Sequence, residues 1–129
     1  MNTINLTVPA LTRSFNIVAG QLNQIFIDEH YAGDDLVLQF NFVDADGDAV
    51  DISTYTTRTW NGHDDSGIVA ALTKTPALVG GGTGGVMTVT YADTDTAALD
   101  GDYKIELQVA GTGIKNTPVK GILRVHATY

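Results

Sequence analysis

The chain is expected to fold as an all-β sandwich, and three observations carry that expectation. Short segments alternate apolar and polar residues at period two, the spacing that turns one strand face to a core and the other to water. Turn-forming residues recur between these segments at short intervals. No segment carries the pattern of a long helix. The 129 residues leave room for one ordinary domain and an additional arm, and a hydrophobic fraction of 43% can supply a core. A single sheet would leave one apolar face wet, so two packed layers are the minimum solution.

The first thirty residues fit this scheme least well. Phe15 and Ile17 are strand-like, but residues 3–24 are mixed and lack strong turn signals. Two readings stand: residues 1–24 form an arm that pairs with another subunit, or they form a locally packed terminus. The sandwich then spans residues 25–129, beginning with a strand near Ile25–Phe26–Ile27. In Leu36–Val43, Leu36, Leu38, Phe40 and Phe42 share one face and Gln39 and Asn41 the other. Asp44–Asp48 interrupts that strand, Gly47 supplying a positive φ, and Ala49–Ile52 is expected to resume it in a hairpin-like reversal.

Thr56–Trp60 is the next candidate strand, with Trp60, the sole tryptophan, plugging the core. Ile68–Thr73 is a weaker one because its alanines have little preference for sheet. Val79–Gly85 holds so much glycine that a flexible loop is expected. Val86–Tyr91 is a strong strand, with Met87, Val89 and Tyr91 on one face. A short helical turn follows near 93–99, capped by Asp93 or Thr94, and carries the chain from one sheet to the other with Leu99 on the core rim. Tyr103, Ile105, Leu107 and Val109 then alternate with Lys104, Glu106 and Gln108. In the last strand Val119, Leu123 and Val125 can bury, and Gly121 marks a bulge or a close neighbouring backbone. The expected total is about seven strands.

Fifteen acidic residues against seven basic ones set the net charge at −8. That balance opposes a nucleic-acid backbone and an anionic lipid surface alike. The absence of cysteine excludes disulfides and thiolate metal sites. No apolar stretch is long enough to span a bilayer and the first residues do not read as a secretory signal, so the chain is expected to be soluble.

The side chains that could carry chemistry each have a plainer reading. Asp44, Asp46 and Asp48, with Asp51 nearby, suggest an oxygen cage for Ca2+, but glycine falls at the fourth position and Tyr55 at the twelfth, against the EF-hand order. A solvated turn that bonds its own backbone is the preferred reading, and no cofactor is expected. His30, His63 and His126 stand far apart and form no His-Glu-x-x-His pattern. Ser14, Ser53 and Ser66 lack a nucleophile-elbow setting. Asp34–Asp35 and Asp64–Asp65 are sequence neighbours whose side chains diverge in extended backbone, and Glu29 stands alone. Gly80–Gly85 leads into a strand, with no lysine where a phosphate would sit. Trp60, Tyr31, Tyr55 and Tyr129 offer rings for stacking on a sugar, though nothing in the sequence gathers them on one face. No catalytic residue is assigned.

The order of the segments carries a resemblance. Gly33–Asp34–Asp35–Leu36–Val37–Leu38, Asp46–Gly47–Asp48–Ala49–Val50–Asp51–Ile52, Val86–Tyr91, Asp93–Thr96, Leu99–Val109 and Thr117–Val125 follow one another much as in the immunoglobulin-like β-sandwich domains of tailed-bacteriophage structural proteins. The N-terminal domain of baseplate upper proteins is the relative named by this pattern, over about Ile25 to Val125. The resemblance implies an immunoglobulin-like antiparallel sandwich. It also implies a non-enzymatic virion protein that serves as an assembly or attachment module in the tail, baseplate or neck. Its partners would be other virion proteins and, through residues 3–24, further copies of itself; before assembly it would be soluble in the host cytoplasm. The sequence lacks the coiled-coil stalk and receptor-binding head of the long baseplate adaptors. A glycan- or receptor-binding module and a capsid decoration protein are the alternatives.

Overall fold

The computed structural model describes residues 11–111 and 113–126. Among them nine strands form two packed sheets: β1 (Leu11–Val18), β2 (Asn23–Tyr31), β3 (Leu36–Val43), β4 (Thr57–Asp64), β5 (Gly67–Ile68), β6 (Ala77–Leu78), β7 (Val86–Tyr91), β8 (Gly101–Gly111) and β9 (Ile114–His126). One sheet has the order β1-β3-β7-β6 and the other β2-β9-β8-β4-β5. A four-residue helical turn, α1 (Asp93–Thr96), carries the chain between them, from β7 to β8.

The period-two faces pack as their sequences dictate. Leu36, Leu38, Phe40 and Phe42 of β3 and Met87, Val89 and Tyr91 of β7 are buried against Ile105, Leu107 and Val109 of β8 and Val119, Leu123 and Val125 of β9. Trp60 on β4 is wholly buried, its ring 5.3 Å from that of Phe40. Its indole N–H donates to the Tyr91 hydroxyl, which donates to the Leu72 carbonyl at 2.9 Å. The polar ends of both large rings are thereby satisfied inside the core, the condition under which such rings bury favourably. Leu99 lies on the core rim, partly buried.

Several expectations need correction. The sheets are mixed rather than antiparallel, because β1 runs parallel to β3 and β2 parallel to β9. Periodicity assigns faces, whereas strand partners depend on where each turn sends the chain. Residues 11–24 belong to the sandwich rather than to an arm: β1 pairs with β3 along its whole length, Ile17 is wholly buried, and Phe15 stacks on Phe40 at 5.9 Å. The remainder of that stretch, residues 1–10, lies outside the described residues. The weak strand expected at 68–73 is reduced to Gly67–Ile68, after which Ala70–Leu72 form a 3-10 turn. Ala49 makes a single bridge to Val43, with Val50 N–H bonded to the Phe42 carbonyl, rather than opening a return strand.

The glycine-rich segment also differs from the flexible loop expected. Gly80 and Gly81 hold φ of 59° and 75°. The Gly85 carbonyl accepts from Phe42 N–H at 2.7 Å, and the Gly82 carbonyl from Ile52 N–H at 2.9 Å. A Cβ on Gly85 would stand 2.7 Å from the Val50 carbonyl oxygen and 2.8 Å from that of Phe42. Glycine is there to let backbones touch. At α1 the cap is likewise not the expected one: Asp95 reaches back to Ala92 N–H at 2.8 Å.

Strand directions give the sandwich two distinct poles. Leu11, Tyr31, Leu36 and His126 lie at one, together with α1. The turns at 19–22 and 44–48, the glycine segment and the β8–β9 turn lie at the other.

Candidate functional surface

The acidic turn is self-contained. Asp44 Oδ1 accepts from the N–H of Asp46 at 2.9 Å and of Asp48 at 3.0 Å, while Asp44 N–H bonds the Asp48 carbonyl at 2.8 Å. These bonds explain the aspartates through the turn they stabilise. Among the described residues no three His, Cys, Asp or Glu side chains gather where a metal ion would be held.

The histidines occupy three unlike settings. His30 is buried, with Nε2 3.1 Å from Thr96 Oγ1, and the same oxygen accepts Gly33 N–H at 3.2 Å. Burial holds its pKa below the usual histidine value; Asp34 opposes that shift and Arg13 adds to it. His126 donates from Nε2 to the Asp28 carbonyl at 2.7 Å and packs beside Tyr31. His63 lies half-buried on the outer face of β4. Ser14, Ser53 and Ser66 are all exposed, on β1 and in two turns. Asp34, Asp35 and Asp65 sit in exposed connections, and Asp64 is the exposed last residue of β4. Asp64 is used locally, its Oδ1 accepting Ser66 N–H at 2.8 Å. The side chain of Glu29 lies outside what is described.

Of the rings proposed for sugar stacking, Trp60 and Tyr55 are in the core and Tyr31 is half exposed. Tyr129 lies outside the described residues. An exposed ring that reaches a concave surface is Phe26, which sequence reading placed in a strand without a site. Phe26, Ile122, Lys104, Lys120, Glu106 and His63 line a groove of about 560 Å³ on the outer face of the five-stranded sheet. Register assembles it: Phe26 pairs with Ile122, Ile122 with Lys104, and Lys104 with His63, one residue from each of four strands. Only the pairing order, which the sequence does not display, brings them into one row.

Charge on this face is largely paired. Arg124 Nε bonds Asp102 Oδ1 at 2.8 Å, its Nη1 lies 3.3 Å from Asp28 Oδ1, and its guanidinium sits over the Phe26 ring at 5.1 Å. The bond from Arg124 holds the Asp102 carboxyl below its usual pKa. Lys120 and Glu106 approach to 3.5 Å. Exposed pairs of this kind add little stability, but they fix where charges stand.

Two packed mixed sheets, with first-described strands on one flank and α1 crossing at one pole, can be compared with solved structures. The fold is similar to that of a solved phage domain. The N-terminal domain of phage TP901-1 ORF48 superposes with a TM-score of 0.56 over 92% of this chain and 98% of that one, at 8% sequence identity. No protein-family model matches the sequence, and no curated protein matches it. No helix among the described residues is long and apolar enough to cross a membrane.

Proposed function

We propose that this protein is a non-enzymatic bacteriophage virion component, a folded module for assembly or attachment in the tail, baseplate or neck. The observation that carries the reading is the fold likeness to a phage domain, which extends over nearly the whole of both chains. The order of sequence segments supports the same reading. So does the use of the aromatic side chains, most of which fill the core rather than a cleft. The proposed partners are other virion proteins and further copies of this chain, with self-association through the N-terminal flank. Imaging and mass spectrometry of purified particles test the proposal. The expected result is the protein at the tail end or neck in a fixed copy number. Its absence from washed particles overturns the reading, and its presence over the whole head surface replaces it with capsid decoration.

The groove around Phe26 favours one second reading, a glycan- or receptor-binding module. An exposed ring beside amide, carboxylate and ammonium groups suits a sugar's apolar face and hydroxyls. Binding to a glycan array, abolished by Phe26→Ala, is the outcome expected of it. A blank array removes it.

A further inference from the structure

The outer face of the five-stranded sheet carries two depressions in series. The groove of about 560 Å³ around Phe26 extends to Glu106 and Lys120, and a second of about 400 Å³ is lined by Thr57, Thr59, Gln108, Lys115 and Asn116. Glu106 and Gln108 are alternate residues of β8 and share a face. They are joined there by a hydrogen bond from Gln108 Nε2 to Glu106 Oε1 at 2.7 Å. The two depressions thus form one trough along β8 and β9. Lys104 stands at one end, and Lys115, paired with Ala110, stands about 20 Å further along β8 at the other.

The trough is opposite in charge to the molecule that carries it. Three of the chain's four lysines line it against a single carboxylate, in a chain of net charge −8. That carboxylate, Glu106, is already engaged by Lys120 at 3.5 Å and by Gln108. Lys104 and Lys115 are exposed, and among the described residues neither meets a carboxylate. Unpaired cations at both ends of a trough draw in an extended polyanion that the acidic remainder of the surface repels.

The lining selects the kind of polyanion. Main-chain groups beneath the trough are spent in the sheet, since β9 is paired on both sides by β2 and β8, and β8 by β9 and β4. An extended peptide would find no backbone partners there. What remains is hydroxyl, carboxamide and ammonium groups from Thr57, Thr59, Asn116 and the lysines, which match a sugar's hydroxyls and carboxylates. Among the described residues that line the trough, Phe26 alone brings a phenyl ring, 51% exposed even with the Arg124 guanidinium over it. One ring suits the apolar face of one sugar, whereas single-stranded nucleic acid stacks successive bases on several.

We propose that this trough binds an acidic polysaccharide, a chain whose sugars carry carboxylates, with one sugar against Phe26 and carboxylates at Lys104 and Lys115. The proposal rests on the glycan-binding reading of the Phe26 groove and names the sugar class and the length of chain engaged.

Calorimetric titration of the intact protein with oligogalacturonate and with hyaluronate oligosaccharides, against maltooligosaccharides of equal length, tests it. Uronate binding is expected, weakening as salt is raised. The double variant Lys104→Glu/Lys115→Glu is expected to bind about tenfold more weakly or worse, with Tm unchanged because neither lysine has an ion pair to lose. The salt response is read on the unaltered chain, so it tests the charges even if the variant fails to fold. Equal binding of the neutral maltooligosaccharides overturns the proposal and leaves the glycan reading standing, whereas binding of no saccharide overturns both. Polyglutamate or single-stranded DNA bound as tightly as uronate overturns it in favour of a general anion surface. Uronate binding indifferent to salt and to both substitutions overturns it as well.

Discussion

Tyr91 shows how much a single buried hydroxyl can hold. It takes the Trp60 indole proton from one sheet and gives its own to the Leu72 carbonyl. Burial raises the phenol's pKa far above its usual value, so the hydroxyl stays protonated. Tyr91→Phe leaves an indole N–H and a carbonyl unsatisfied and is expected to cost about 1–3 kcal/mol in urea unfolding. Gly121 is a second such position: a Cβ there would stand 2.1 Å from the Ile25 carbonyl oxygen. Gly121→Ala is expected to cost about 1–3 kcal/mol or more, by forcing β2 away from β9, and unfolding measurements would show it. The sequence announced Gly121 as a bulge or a close approach, and the close approach is what occurs. It could not announce the Trp60–Tyr91 bond, because the two residues lie in different sheets and periodicity says only that both face inward.

At the scale of elements, α1 is held by more than its own short turn. Thr96 is buried and joins it to His30 on β2 and to Gly33 in the following turn. Lys74 clamps Asp95 from the other side at 2.9 Å. Thr96 Oγ1 accepts from Gly33 N–H and shares a hydrogen bond with Nε2 of His30, whose buried ring favours the neutral form. The native pKa of His30 lies below the unfolded value of 6.5, so as pH falls through 6.5 the unfolded chain binds a proton that the native state refuses. Stability is therefore expected to fall below pH 6.5, with a slope up to about 1.4 kcal/mol per pH unit from this group. Tm measured from pH 7.5 to 5.5 should drop, and His30→Gln should flatten the drop. A short helical turn near 93–99 was legible from the segment's small size and helix-compatible residues, although its cap is Asp95 reaching back to Ala92 rather than Asp93 or Thr94. Its tether to His30 was not, because the two are 66 positions apart.

On the scale of the whole molecule, closure depends on the last described strand. β9 lies between β2 and β8, so Asn23 pairs with Val119 across most of the chain. Removing residues 114–129 exposes two strand edges at once and is expected to leave a chain without a cooperative thermal transition. Such long-range pairing also predicts folding in the millisecond-to-second range by stopped-flow. The two layers and the buried faces of β3, β7, β8 and β9 were readable from alternation alone, since only one facing of each strand avoids wetting its apolar row. The parallel placements of β1 and β2 were not readable, because a mixed stretch such as 11–24 becomes an edge only once its neighbours are known. The two poles have a practical consequence. Leu11 and His126, the outermost described residues, lie at one pole and the Asp44–Asp48 turn at the other, so an epitope grafted into that turn would stand at the far end of the sandwich from both of them.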